Sequence, residues 1–238
     1  MSLRQQIPNF LTTLNLISGV VGVYLLLYGH HKWVLCCIGI SLLADFLDGW
    51  AARKLGVAGP LGVQLDSLAD MLTFGVLPGM MVTKMIAGYE NNLPHWIYIM
   101  TGMTITVGAM IRLAKFNIDE DQRTGFLGLP TPAMSIYITG IFIPFALEDP
   151  TIEMIYGSYP WLPAWIIQSI LLVILMNARI PMPSLKDLSS HRTFAISLGI
   201  LMVGATILCF LFNPIALLWV LSALYICSAV IYSQILKK

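Results

Sequence analysis

The sequence predicts an all-α bundle of about eight membrane-spanning helices, and three observations carry that expectation. Hydrophobic residues make up 58% of the 238 positions and charged residues only 11%, with a mean hydropathy of +0.82. A soluble domain carries about a quarter charged residues, so this chain lacks the polar surface that water demands. Secondly, the apolar residues collect in runs of roughly 20, the length that crosses a hydrocarbon core about 30 Å thick. Thirdly, eight spans would sort the cations: Arg4, Arg53, Lys54, Arg112, Lys115, Arg123, Arg179, Lys186, Arg192, Lys237 and Lys238 fall on one side, Lys32 and Lys84 on the other. The positive-inside rule makes the crowded side cytoplasmic, with both termini there. A net charge of +1 gives no reason to expect nucleic acid as a partner.

Residues 1 to 8 are polar, and the run from about Asn9 to Tyr28 is too long for a signal peptide and lacks an A-x-A-like site after it, which predicts a first membrane helix. Asn9 and Thr12 near its start suit an N-cap pair. His30, His31, Lys32 and Trp33 predict a solvated interfacial turn before a second helix that ends near Leu55. The glycines and proline of GVAGPLG, 56 to 62, predict a tight connection, and the third helix then runs to about Ala87. GYENNLPHW is a polar turn, and the fourth helix ends near Phe116. NIDEDQRTGFLGLP, 117 to 130, is too long and charged to serve only as a hairpin. The fifth helix covers about 131 to 147, and the sixth about Trp161 to Ala178 after an acidic loop. In the polar stretch 179 to 192, Lys186 and Arg192 are expected to touch lipid headgroups. The last two helices, about 193 to 212 and 214 to 235, turn at Asn213-Pro214. Trp33, Trp96, Trp161 and Trp165 would form an aromatic belt at the outward interface. Cys36, Cys37, Cys209 and Cys227 lie in apolar segments without C-x-x-C spacing, which predicts packing rather than zinc or disulfides. With no internal repeat, residues 1–238 form a single integral membrane domain.

Asp45, Asp48, Asp66 and Asp70 stand out in this apolar chain. An aspartate at the centre of a membrane helix costs roughly 2.5 to 3.5 kcal/mol, so four cost on the order of 10 kcal/mol without compensation. Intramembrane acids therefore need a function. Each pair is three or four residues apart and shares a helix face at about 5 to 6 Å. At about 100° per residue, Gly49, Ala52 and Arg53 fall on the stripe of the first pair, and Gly62 and Thr73 on that of the second. The small residues leave room for a ligand against the backbone. Carboxylate oxygens suit Mg²⁺, Mn²⁺ or Ca²⁺, which bridge well to phosphate, so the pattern points to metal-assisted phosphoryl chemistry.

The same positions spell D-x2-D-G-x2-A-R-x8-G-x3-D-x3-D, eight fixed residues in 26, and resemble without departure the signature of the CDP-alcohol phosphotransferases. IPNFLTTLN at 7 to 15, DSLADMLTFGVLP at 66 to 78, RLAKFN at 112 to 117 and GLPTPA at 128 to 133 are similar to the phosphatidylserine synthases of that family. The resemblance covers about the first 135 residues. It implies transfer of a phosphatidyl group from CDP-diacylglycerol to L-serine with release of CMP. It implies two divalent ions, Mg²⁺ or Mn²⁺ with Ca²⁺ a further candidate, on Asp45, Asp48, Asp66 and Asp70, with Asp70 also the general base. Asn9, Thr12, Asp48, Gly49, Ala52, Arg53 and Gly62 would surround the CDP-lipid. Arg112, Lys115 and Asn117 would receive the serine carboxylate or a lipid phosphate, with plain interfacial anchoring of this helix end the alternative. The family implies a homodimer in the cell (inner or plasma) membrane. It also implies a six-helix core over about 1–178, with two additional helices over about 193–235.

Three other readings stay open at this point. The acids could form a structural network with Arg53 and Lys54, or line a cation transporter. The same chemistry could serve another alcohol, such as glycerol phosphate or inositol phosphate, whose phosphate would want more basic residues, or an ether CDP-lipid.

Overall fold

Backbone N–H and C=O groups cannot stay unpaired in hydrocarbon, so apolar runs of this length become helices. In the computed structural model, which describes residues 3–89, 94–118, 127–149, 162–182, 192–212 and 214–235, they form eight rods. These are α1 (Leu3–Leu27), α2 (His31–Leu55), α3 (Pro60–Asp70, a π-helical stretch Met71–Val76, then Leu77–Tyr89) and α4 (His95–Ile118). They continue as α5 (Thr131–Leu147), α6 (Leu162–Asn177), α7 (Arg192–Phe212) and α8 (Leu217–Ile235), the last preceded by a 3-10 turn at Pro214–Ala216. Arg123, Trp161, Lys186, Lys237 and Lys238, and the side chain of Arg192, lie outside the described residues.

The expected eight helices are there, and among the described residues α1, α2, α3, α4 and the segment Pro214–Tyr232 are each long and apolar enough to cross a membrane by themselves. α5 has 17 residues and α6 has 16, roughly 24 to 26 Å of helix. α5 lies among α2, α3 and α8, so protein rather than lipid covers most of it. Leu77, Met81 and Met85 of α3, Ile105 of α4, and Met134, Ile138 and Phe142 of α5 make the apolar centre, each almost fully buried.

Several expectations are corrected. α1 starts at Leu3, so Asn9 and Thr12 sit inside a helix and are not an N-cap pair. His31 is the first residue of α2, not part of a solvated turn. Its ring packs on Phe142 and Phe145 of α5 at centroid distances of 5.9 and 5.1 Å, because a three-residue turn closed by His30 N–H donating to the Leu25 carbonyl starts α2 early. Trp33 and Trp96 are exposed as a belt requires, whereas Trp165 is 4% exposed and belongs to the core. All four cysteines are free, with Cys37 and Cys209 buried.

The π-helical stretch has a local cause. Pro78 has no N–H for the carbonyl four residues before it, so the regular ladder fails ahead of it. The wider turn begins directly after Asp70. Thr106 of α4 donates to the Gly75 carbonyl at 3.2 Å within that stretch. Just beyond it Gly79 and Gly102 let the α3 and α4 backbones approach closely. Elsewhere a short strap, Leu127–Leu129, is fastened to the end of α6: Gly128 N–H donates to the Ile180 carbonyl (2.8 Å) and Leu129 N–H to that of Leu175 (2.9 Å).

Candidate active site

The turn between α2 and α3 brings the two acid pairs together. Gly56 takes a left-handed conformation (φ 63°), Val57 N–H donates to the Ala52 carbonyl at 3.1 Å, and Pro60 opens α3 from an extended Gly59. One oxygen each from Asp45, Asp48 and Asp66 lie within 4.8 Å of one another. Asp70 stands just outside that trio and shares with it the wall of one cavity.

α1 holds two of these carboxylates. Thr12 Oγ1 donates to Asp48 Oδ2 at 2.6 Å, and Asn15 Nδ2 donates to Asp70 Oδ1 at 3.1 Å. Asn15 is fully buried, and its backbone carbonyl accepts from Ser41 of α2 (3.3 Å) and Thr73 of α3 (3.4 Å). These bonds fix α1 against both acid-bearing helices. Asp66 Oδ1 is buried and has no hydrogen-bond partner among the described residues.

Four converging carboxylates with an unpartnered buried oxygen suit a divalent cation, which supplies the charge and the partner they lack. The rival structural network needs Arg53 and Lys54 to play that part. Lys54 instead lies over the Trp50 ring, its Nζ 4.4 Å from the centroid.

Three cavities meet here. One of about 220 Å³ lies between α1, α2 and α3 and is lined by Asn9, Thr12, Gly49, Ala52, Arg53 and Gly62. A second, of about 490 Å³, adjoins it and includes all four aspartates, Arg53 and Arg112 in its wall. Asp48, Gly49, Arg53 and Asp66 line both. A third, of about 390 Å³, lies beyond Arg112, with Lys115, Asn177 and Arg179 around it. The room at the glycines belongs to the cavity. A Cβ on Gly62 would meet only Asn9 Oδ1 at 4.0 Å, and one on Gly49 only the guanidinium of Arg53 at 3.3 Å and beyond.

The residues expected to receive serine divide. Arg112 is 4% exposed and lines two cavities, so it is no interfacial anchor. Lys115 is exposed at the rim of the third cavity. Asn117 lines none of the three. Its Oδ1 accepts from Ser67 Oγ at 3.1 Å and ties the end of α4 to α3.

Sequence reasoning missed Asn15, Arg179 and Tyr225. Asn15 follows Thr12 at helical spacing, on a face that also carries Ser18 and Gly19, and that polar stripe was the available signal. Arg179 was legible as a cation on the same side as Arg112. Nothing in the pattern marks Tyr225, of α8, as part of the wall of the 490 Å³ cavity.

The family model of the CDP-alcohol phosphatidyltransferases matches residues 5–175. The chain belongs to that family. Family membership makes it an enzyme, a transferase that lies in a membrane. Among similar proteins, a CDP-diacylglycerol-serine O-phosphatidyltransferase of Bacillus subtilis (strain 168) is 39% identical over 126 residues, 53% of this chain and 69% of the relative. A protein of the same description from Mycobacterium tuberculosis (strain ATCC 25618 / H37Rv) is 27% identical over 94% of this chain and 76% of its own length. An archaetidylserine synthase of Methanothermobacter thermautotrophicus is 30% identical over 58% of each. The family match covers α1 to α6 nearly completely and leaves α7 and α8 outside.

Proposed function

We propose that this enzyme transfers a phosphatidyl group from CDP-diacylglycerol to the hydroxyl of L-serine, giving phosphatidylserine and CMP. The observation that carries the reading is the order of the cavities: one lined by small residues, then four carboxylates, then a larger one, then a basic one behind Arg112. A nucleotide in the first and an acceptor in the last would approach the lipid phosphorus from opposite sides, as displacement at phosphorus requires.

Asn9, Thr12, Gly49, Ala52, Arg53 and Gly62 would hold the CDP part, with the missing side chains letting it lie on the backbone. Asp45, Asp48, Asp66 and Asp70 would hold two divalent ions, Mg²⁺ or Mn²⁺, which when bound neutralise the pyrophosphate and the departing CMP. Asp70 would take the serine proton as the oxygen–phosphorus bond forms and the bond to CMP breaks. Arg112 offers a planar fork to the serine carboxylate, and Lys115 and Arg179 add attraction from the third cavity. By family resemblance the enzyme is a homodimer. The carboxylate end faces the cytoplasm by its cations, so serine enters and CMP leaves there while the acyl chains remain in the bilayer.

One observation favours a second acceptor. Arg112, Lys115 and Arg179 bring three cations to one cavity, more than a single carboxylate needs. Purified enzyme with CDP-diacylglycerol and Mg²⁺ or Mn²⁺ should be given labelled serine, glycerol 3-phosphate and inositol phosphate in parallel. The serine reading expects label in lipid from serine, and loss of CMP release in EDTA that added metal reverses. Label from a phosphorylated alcohol alone overturns serine, and full activity in excess chelator overturns the metal site.

A further inference from the structure

The family match ends at residue 175 and assigns nothing to α8. Yet α8 is seated within the protein. Ala229 and Tyr232 are buried, and Ile226 and Ala229 join the same apolar core as Met134 and Ile138 of α5. The seat is cut into α5 at Gly140. A Cβ there would stand 2.6 Å from the backbone nitrogen of Trp219 and 2.7 Å from its Cα, so the absence of a side chain is what lets the two backbones meet. α7 differs: it packs chiefly on α8 and leaves Ile200 and Leu211 about 70% exposed. Further along α8, Tyr225 lines the same 490 Å³ cavity as the four aspartates.

We propose that α8 is the lipid-side wall of the active site and that Tyr225 seats the glycerol backbone of the lipid donor. Tyr225 lines neither the small-residue cavity assigned to the nucleotide nor the basic cavity behind Arg112. What remains for it is the middle cavity, whose polar end is the carboxylates and whose other walls include Phe46, Phe116 and Met182. A CDP-lipid changes there from phosphate through ester-linked glycerol to hydrocarbon. A phenol matches that change, with an apolar ring and a hydroxyl that donates to an ester carbonyl. The inference rests on the CDP-lipid reading above.

The test is steady-state kinetics of Tyr225→Phe and Tyr225→Ala in lipid–detergent micelles, with CDP-diacylglycerol and serine varied separately and CMP as competing ligand. Loss of the hydroxyl alone should raise the KM for CDP-diacylglycerol about two- to tenfold, the range of one neutral hydrogen bond. The alanine variant should raise it further. The inhibition constant of CMP and the KM for serine should stay within about twofold, since their cavities are intact. Gly140→Ala, which pushes α8 outward from a position away from the cavity, should also raise the lipid KM. A lipid KM unchanged in both Tyr225 variants overturns the proposal, as does a rise in the serine KM in its place. If Tyr225→Ala fails to insert, the phenylalanine variant decides by the same criteria. Wild-type enzyme without CDP-lipid-dependent activity would sink the donor reading itself, a result distinguishable from wild-type-like variants.

Discussion

Asp48 and Asp70 each accept a hydrogen bond from α1, Asp48 from Thr12 and Asp70 from Asn15. The bond from Asn15 engages one oxygen of Asp70, and in the proposed mechanism the other serves metal or serine. Asn15→Leu keeps the volume and suits an apolar helix, so the protein should insert normally while kcat falls about tenfold or more, the worth of a hydrogen bond to a charged group. An unchanged kcat would mean that Asp70 needs no such partner. Arg112 gives a second test. Arg112→Lys keeps the charge without the fork and Arg112→Ala loses both, so the serine KM should rise in that order, by roughly 10- to 150-fold for alanine. Hydrolysis of CDP-lipid by water should barely change, because water offers no carboxylate. Equal losses in both reactions would move Arg112 to the phosphates. At this scale the four aspartates were legible because acids in apolar sequence have few explanations. Asn15 was not, because it carries no charge and an amide inside a helix has many ordinary hydrogen-bonding partners, so only the contact with Asp70 singles it out.

Although α1 starts six residues before its apolar run, most element ends were legible to within a few residues, since hydropathy marks where a helix meets water. The π-helical stretch was not, because its residues are as apolar as those of a regular helix and only Pro78 hints at the missing bond. Its place directly after Asp70 is consistent with a role in aiming that carboxylate. Pro78→Ala restores an N–H for the Phe74 carbonyl and should draw the turn towards regular α geometry, lowering turnover several-fold while the protein still inserts. Wild-type turnover in that variant would make the wide turn a packing feature. The face of α2 gives a complementary expectation. Gly49→Leu or Ala52→Leu fills the 220 Å³ cavity without harming a lipid-compatible helix, so CMP and CDP-lipid binding should both be lost. Unchanged affinity in both variants would refute close approach of the nucleotide there.

At the scale of the whole molecule, the helix ends separate into two chemically different faces. Lys54, Lys115 and Arg179 belong to the ends that carry the three cavities, whereas Lys32 and Lys84 lie at the opposite ends of α2 and α3. Charge placement made this polarity legible before any contact was known, because it depends only on which loops alternate. The seat of α8 was not legible, since it is set by one glycine in α5 and a backbone more than 70 residues later. A labelling experiment tests the orientation. In a chain whose four cysteines are replaced by alanine, Lys54→Cys and Lys32→Cys place one thiol at each face, both at exposed positions. A membrane-impermeant maleimide added to intact cells should label Lys32→Cys and spare Lys54→Cys until the membrane is opened. The reverse pattern would put the carboxylates on the outer side. The acceptor and CMP would then have to cross the membrane, and the positive-inside argument for this chain would fail with its cytoplasmic site.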